Sequence, residues 1–288
     1  MTEPLVYTSN PPALLPMYGR VLTARRPKTG PDTQLPDLQA ELLGVRTSGA
    51  NLRTYQELCG FEPSSYLPVT SPHVLAFPLH LRLLTDRAFP LPLLGLVHLR
   101  NRITQHRPIA MGENLDLRVK LGQREMTSRG LEFDLITEAR SAGQCVWEES
   151  STTLFRMPGN AGSRSAPGAI VPLAHRQAIR APENIGRRYA AVSGDRNPIH
   201  LHALSARAFG FPGAIAHGMW SKARCLALLE QQRDWQAGAF RVDCQFKKPL
   251  FLPGNAQLQW RFEETGADYQ LLNASGDAPH LTGRIHWL

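Results

Sequence analysis

The sequence predicts an α+β chain built from two copies of one unit, each an antiparallel sheet wrapped over a single apolar helix. Three observations carry this. Several short segments alternate strictly between apolar and polar residues, which is the period of a half-buried strand. Each half holds one mostly apolar helical stretch ahead of those strands. Three short landmarks recur in the same order, about 140 residues apart.

The landmarks run along the chain as follows. Tyr55-Gln-Glu-Leu-Cys-Gly-Phe61 resembles Tyr189-Ala-Ala-Val-Ser-Gly-Asp195 through its Tyr and Gly positions. Pro68 and His73, four residues between them, match Pro212 and His217. Arg107-Pro-Ile-Ala-Met-Gly-Glu-Asn114 matches Lys248-Pro-Leu-Phe-Leu-Pro-Gly-Asn255. The order and common spacing indicate a duplicated unit. The second copy carries about ten extra residues between its first two landmarks.

The elements follow from periodicity. Leu115–Leu121, Phe240–Phe246 and Leu258–Phe262 alternate strictly, and Val97–Ile103 nearly so. One face of each must cover something apolar, and the available cover is Pro72–Thr85 in the first half and His217–Gln231 in the second. Met219, Trp220, Ala223, Leu226 and Ala227 cluster at helical spacing in the latter. The Gly-, Pro- and Ser-rich run Met157–Ala169 reads as a linker. It divides a first domain, 1–156, from a second, 170–288. Residues 8–40, rich in proline, read as an irregular strap.

Composition narrows the class. The chain has 288 residues, 42% hydrophobic and 19% charged, which suits a folded core and argues against disorder. No stretch has the apolar length of a membrane span, and the amino terminus lacks a signal pattern, so the expected location is cytoplasmic. Cys59, Cys145, Cys225 and Cys244 form no C-x-x-C pair, which leaves reduced core thiols rather than disulfides or a thiolate metal site. The net charge of +8 suggests an anionic partner: nucleic acid, a coenzyme A moiety or an acidic carrier protein. No phosphate loop, zinc-finger spacing or helix-turn-helix pattern supports the first.

The densest chemistry lies in Tyr189-Ala-Ala-Val-Ser-Gly-Asp-Arg-Asn-Pro-Ile-His-Leu-His202. Gly194 permits a tight turn, and Asn197-Pro198 favours an extended residue followed by a helix start. In such a bend Asp195 and His200 converge on one point. The carboxylate can polarise a water while the imidazole exchanges a proton near neutrality, and the pair needs no metal. Downstream, Gly218 opens the apolar helix. First-turn N–H groups and the positive dipole end stabilise negative charge, as an oxyanion hole requires. Together these suit chemistry beside a thioester carbonyl.

Each residue also has a plainer reading. Gly-Asp and Asn-Pro are common turn dipeptides. His202 reads as a solvated loop residue. The recurrence of His217 as His73 argues for a structural role, such as a helix cap. The stripe Met219–Leu229 is core before it is a pocket wall. The remaining histidines show no metal-ligand spacing.

Tyr189-x-x-Val-Ser-Gly-Asp-x-Asn-Pro-Ile-His200, with Gly218 in Ala-His-Gly-Met, resembles the signature of MaoC-like (R)-specific enoyl-CoA hydratases and 3-hydroxyacyl-thioester dehydratases. The resemblance covers residues 170–288 well and the first half only as a degenerate repeat. It implies a double hot-dog fold. It also implies a hydro-lyase that adds water reversibly to trans-2-enoyl-CoA, with no cofactor beyond the coenzyme A of the substrate. By that resemblance Asp195 and His200 activate water, the Gly218 N–H holds the thioester carbonyl, and Asn197 braces the loop. Ser193 and Ser221 are candidates for lining the site. Arg187, Arg188, Arg196, Arg207, Lys222, Arg224, Lys247 and Lys248 are candidates for coenzyme A phosphates or an acidic carrier surface.

Phe61 and Val74 stand where Asp195 and Gly218 stand, so one active site per chain is expected. The first half is then expected to complete the paired fold and shape the acyl tunnel, with Leu91–Leu96 as a candidate lining that reads equally well as core. Two alternatives remain open: a dehydratase acting on carrier-protein thioesters in fatty-acid or polyketide synthesis, and a non-catalytic acyl-thioester binder. A homodimer and a monomer that mimics a single-copy dimer are both compatible with the sequence.

Overall fold

The protein is represented by a computed structural model that describes residues 3–23, 29–30, 32–157 and 170–288. The predicted linker, Met157 apart, lies outside the described residues. In chain order the elements of the first half are β1 (Leu5–Thr8), α1 (Leu14–Thr23), β2 (Gln39–Arg46), α2 (Ala50–Cys59), α3 (Ser71–Leu84), β3 (Leu96–Gln105), β4 (Asn114–Thr127), β5 (Gly130–Ser141) and β6 (Gln144–Arg156). The second half holds β7 (His175–Ala181), α4 (Ile185–Ser193), α5 (Pro198–Leu201), α6 (Ala203–Arg207), α7 (Gly218–Glu230), β8 (Phe240–Phe246), β9 (Gly254–Glu263), β10 (Gly266–Asn273) and β11 (Pro279–Trp287).

All the described strands join one sheet of eleven, in the order β1-β2-β4-β5-β6-β3-β8-β11-β10-β9-β7. Among the described residues only the β1–β2 pair is parallel. From either edge inward the two halves repeat one topology: β2-β4-β5-β6-β3 answers β7-β9-β10-β11-β8. The fold is therefore a double hot dog, and the halves meet where β3 pairs with β8. In the duplication Arg102 corresponds to Asp243, and these two residues pair directly. The pseudo-twofold passes between them, spanned by a 2.5 Å bond from Arg102 Nε to Asp243 Oδ1.

The predicted strands and the two apolar helices stand close to their expected places. α3 lies against β2, β4 and β5. α7 is buried nearly all round, with Cys225, Leu226, Ala227, Leu228 and Leu229 inside. Apart from Ser221 and Lys222 its buried residues are apolar, as enclosure demands, and each buried leucine contributes about 1.5–3 kcal/mol. Leu91 lies in the same core, and Leu93 and Leu96 pack against it. The extra residues of the second copy form α5 and α6, between α4 and α7.

Residues 8–40 differ from the irregular strap expected. Helix α1 occupies Leu14–Thr23, buries Met17 and contacts α3. Proline content hid it: Pro16 sits in the first turn, where a missing N–H costs no helical bond. Among the described residues no helix is long and apolar enough to cross a membrane. Cys59, Cys225 and Cys244 are buried free thiols.

Candidate active site

The site is built on the exit from α4. Gly194 adopts φ 81°, the left-handed conformation that lets a chain leave a helix. The backbone N–H of Asp195 donates to Ser193 Oγ at 3.2 Å, and that hydroxyl donates to the Tyr189 carbonyl at 2.8 Å. Asp195 Oδ1 accepts from the Asn197 N–H at 3.1 Å. Asn197 caps α5, its Oδ1 accepting from the Ile199 N–H at 3.4 Å. Pro198 opens that turn, and His200 follows on it, buried.

His200 Nδ1 lies 2.8 Å from the carbonyl oxygen of Ile215. A carbonyl only accepts, so Nδ1 carries the proton and Nε2 keeps its lone pair. His217 stacks on His200, ring centroids 3.7 Å apart. Its Nε2 donates to the backbone carbonyl of Asp195 at 3.0 Å and lies 3.8 Å from Asp195 Oδ2. One ligand-type atom from each of Asp195, His200 and His217 lies within 4.8 Å of the others. The Asp195 side chain is 31% exposed, so the cluster opens to solvent through its carboxylate.

Gly218 is the first residue of α7, directly after His217. Its N–H has no acceptor within the helix, because first-turn donors never do. A Cβ here would lie 3.0 Å from two ring carbons of Phe246. The ring takes the space a side chain would need, so glycine lets the helix start pack this closely.

Electrostatics separate the groups. Burial pushes the Asp195 carboxyl up, but His217, His200 and the Asn197 N–H pull harder and leave it below its usual range. Burial lowers His200 against the opposing pull of Asp195 and of the Ile215 carbonyl. Burial and the neighbouring His200 push His217 down to about 3. At neutral pH the site thus holds a carboxylate beside two neutral imidazoles.

The sequence-predicted residues fall into two groups. Asp195, Asn197, His200, Ser193 and Gly218 are brought together with His217. Ser221 is buried one turn into α7, its N–H bonded to the His217 carbonyl. Arg196 is exposed, and so are Lys247, bonded to Gln245, and Lys248. Two of the basic residues considered for phosphate binding turn inward instead. Lys222 is fully buried and donates to Asn101, and Arg224 donates to the Cys59 carbonyl.

His217 lies closer to Asp195 and His200 than its recurrence as His73 suggested. Its recurrence as His73 suggested a fold-level role, yet His73 pairs with the buried carboxylate of Glu149 at 2.8 Å, a different use of the position. His217 stands at the N-cap of α7, but its side chain makes no capping bond. Tyr18 and Asn51 were missed entirely: Tyr18 bonds the loop around Asp195, and Asn51 Nδ2 donates to the Val192 carbonyl at 2.9 Å. In the first half Phe61 and Val74 are buried apolar residues at the positions of Asp195 and Gly218.

Residues 168–273 match the MaoC like domain family. The chain is 34% identical over 266 residues to 3-hydroxyacyl-thioester dehydratase X of Mycobacterium tuberculosis, covering 88% of this chain and 91% of that protein. A crystal structure of that dehydratase superposes with a TM-score of 0.75 at 33% identity, covering 87% of this chain and all of that one. A 73-residue stretch is 44% identical to part of the fatty acid synthase β subunit of Saccharomyces cerevisiae, covering 24% of this chain and 3% of that one. Identity over most of both chains, shared fold and domain match agree: the chain belongs to the MaoC-like 3-hydroxyacyl-thioester dehydratases.

Proposed function

We propose that this protein interconverts trans-2-enoyl-CoA and (R)-3-hydroxyacyl-CoA at one site per chain, in a catalytic domain spanning residues 170–288. Residues 1–156 complete the paired fold. The observation that carries the reading is the cluster of Asp195, His200 and His217 beside the first turn of α7.

The chemistry follows from the protonation states. In the hydration direction, Asp195 Oδ2 and His200 Nε2 hold a water over C3 of the enoyl group. The water oxygen bonds to C3 as its proton passes to His200 Nε2. The π electrons shift toward C2 and the thioester oxygen, where the Gly218 N–H receives the developing charge. The imidazolium then returns the proton to C2. Dehydration is the same path reversed. Asp195, ionised throughout, stabilises the transient imidazolium. No metal or redox cofactor enters these steps, and coenzyme A is part of the substrate.

The test is loss of absorbance at the enoyl-thioester band across a chain-length series of trans-2-enoyl-CoA, with chiral analysis of the product. The reading expects (R)-3-hydroxyacyl-CoA from at least one chain length. No turnover of any coenzyme A ester, with turnover of the same acyl group on a carrier protein, would move the function to the carrier-bound alternative. No turnover of either would leave a thioester-binding protein.

A further inference from the structure

One hydroxyl group holds the peptide groups on both sides of Asp195. Tyr18 Oη donates to the carbonyl of Gly194 at 2.8 Å and accepts from the N–H of Arg196 at 2.7 Å. Tyr18 stands on α1, far from this loop in sequence and outside the 168–273 stretch that matches the family. Leu14, on the same helix, packs so closely on Gly194 that a Cβ there would lie 2.7 Å from Leu14 Cδ1. Burial and the nearby Asp195 carboxylate hold the Tyr18 phenol well above its usual range, so it stays protonated and able to donate.

The direction of a side chain is set by the peptide planes that flank its Cα. Clamping both planes to one rigid phenol fixes where the Asp195 carboxylate points. A small displacement of a reacting group is costly, because catalysis depends on alignment as well as on chemical identity. We propose that Tyr18 is a positioning residue, and that α1 is a strap from the N-terminal segment that aims Asp195 at the reacting water. The proposal rests on the reading of Asp195 as the carboxylate that holds this water. Asn51 on α2 braces the preceding turn through Val192, so α1 and α2 together support the loop from the non-catalytic half.

The experiment compares Tyr18→Phe, Asp195→Asn and the double variant on the full chain, with a trans-2-enoyl-CoA substrate. Tyr18→Phe keeps the ring and removes both bonds. The expected result is a fall in kcat of about tenfold or more, with KM within about twofold and a melting midpoint lowered by at most a few degrees. In the Asp195→Asn background the same change adds nothing. Leu15→Ala, on the same helix but 84% exposed, leaves kcat at the wild-type value. A Tyr18→Phe variant as active as wild type, alongside an impaired Asp195→Asn, overturns the strap and spares the carboxylate reading. A full-strength Asp195→Asn overturns both. Equal losses from Tyr18→Phe in both backgrounds reduce Tyr18 to a structural role and overturn the proposal. Amide exchange of the wild-type protein gives a second readout that needs no variant. Arg196, although its side chain is exposed, should show a protected N–H, and exchange at the free-peptide rate overturns the clamp.

Discussion

The rings of His200 and His217 stack with centroids 3.7 Å apart, and one nitrogen of each, His200 Nδ1 and His217 Nε2, serves a different carbonyl, that of Ile215 and that of Asp195. Two imidazoles this close do not both take a proton readily, which favours a neutral His200 able to act as a base. His217→Phe keeps a ring in the stack but removes the donor to the Asp195 carbonyl. A fall in kcat of about tenfold, or about 1.4 kcal/mol, is expected, in line with one hydrogen bond to the Asp195 loop. Steady-state kinetics check this, and an unchanged kcat would remove His217 from the site.

Gly218→Ala tests the helix start. The new methyl would begin 3.0 Å from two carbons of the Phe246 ring, which must give by a few tenths of an ångström. Overpacking of this kind costs about 1–3 kcal/mol. A lower melting midpoint is expected, with partial recovery when Phe246→Leu is added. A Gly218→Ala protein as stable as wild type would show that the contact is loose.

Stability should peak at about pH 7, where the three histidine contributions balance that of one glutamate of opposite sign. Burial holds His80, His98 and His217 at about 3, about 4 and about 3, below the ordinary 6.5. Below pH 6.5 the unfolded chain therefore binds more protons than the native one, and each histidine removes up to about 1.4 kcal/mol of stability per pH unit as pH falls. Burial raises Glu230 to about 8, against the donating amide of Gln236. Its contribution is full below the ordinary 4.5 and is lost as pH rises toward 8. Urea unfolding from pH 5 to 8 checks both limbs. Glu230→Gln should flatten the upper limb and His98→Leu should lessen the lower one. A flat profile contradicts the assignment.

A buried polar chain ties the halves together. Lys222 of α7 donates to Asn101 Oδ1 of β3, while Asn101 Nδ2 donates to Glu149 and Ser151. Lys222→Met leaves Asn101 short of a donor inside the core, a loss of about 1–3 kcal/mol. The melting midpoint should fall by several degrees. A rise would mean that desolvating the ammonium outweighs its bonds, as it does in some buried ion pairs.

The candidate segment was legible because its geometry is local: Gly194, Asp195, Asn197, Pro198 and His200 lie within one turn and one short helix. Four of the eleven described strands, β3, β4, β8 and β9, were legible through their alternation, and both central helices through their apolar character. Contacts distant in sequence were not. Nothing around Tyr18 announces that its hydroxyl meets Gly194 and Arg196, and Pro16 disguised the helix that carries it. Lys222 misled for the opposite reason. Lysine is rarely buried, so a position on an enclosed helix was read as surface charge.

Asp195→Asn tests the central claim most directly, since it replaces the carboxylate by an isosteric amide. Turnover of a trans-2-enoyl-CoA should fall by several orders of magnitude while affinity for the thioester stays within a few-fold of wild type. Turnover equal to wild type would contradict the account.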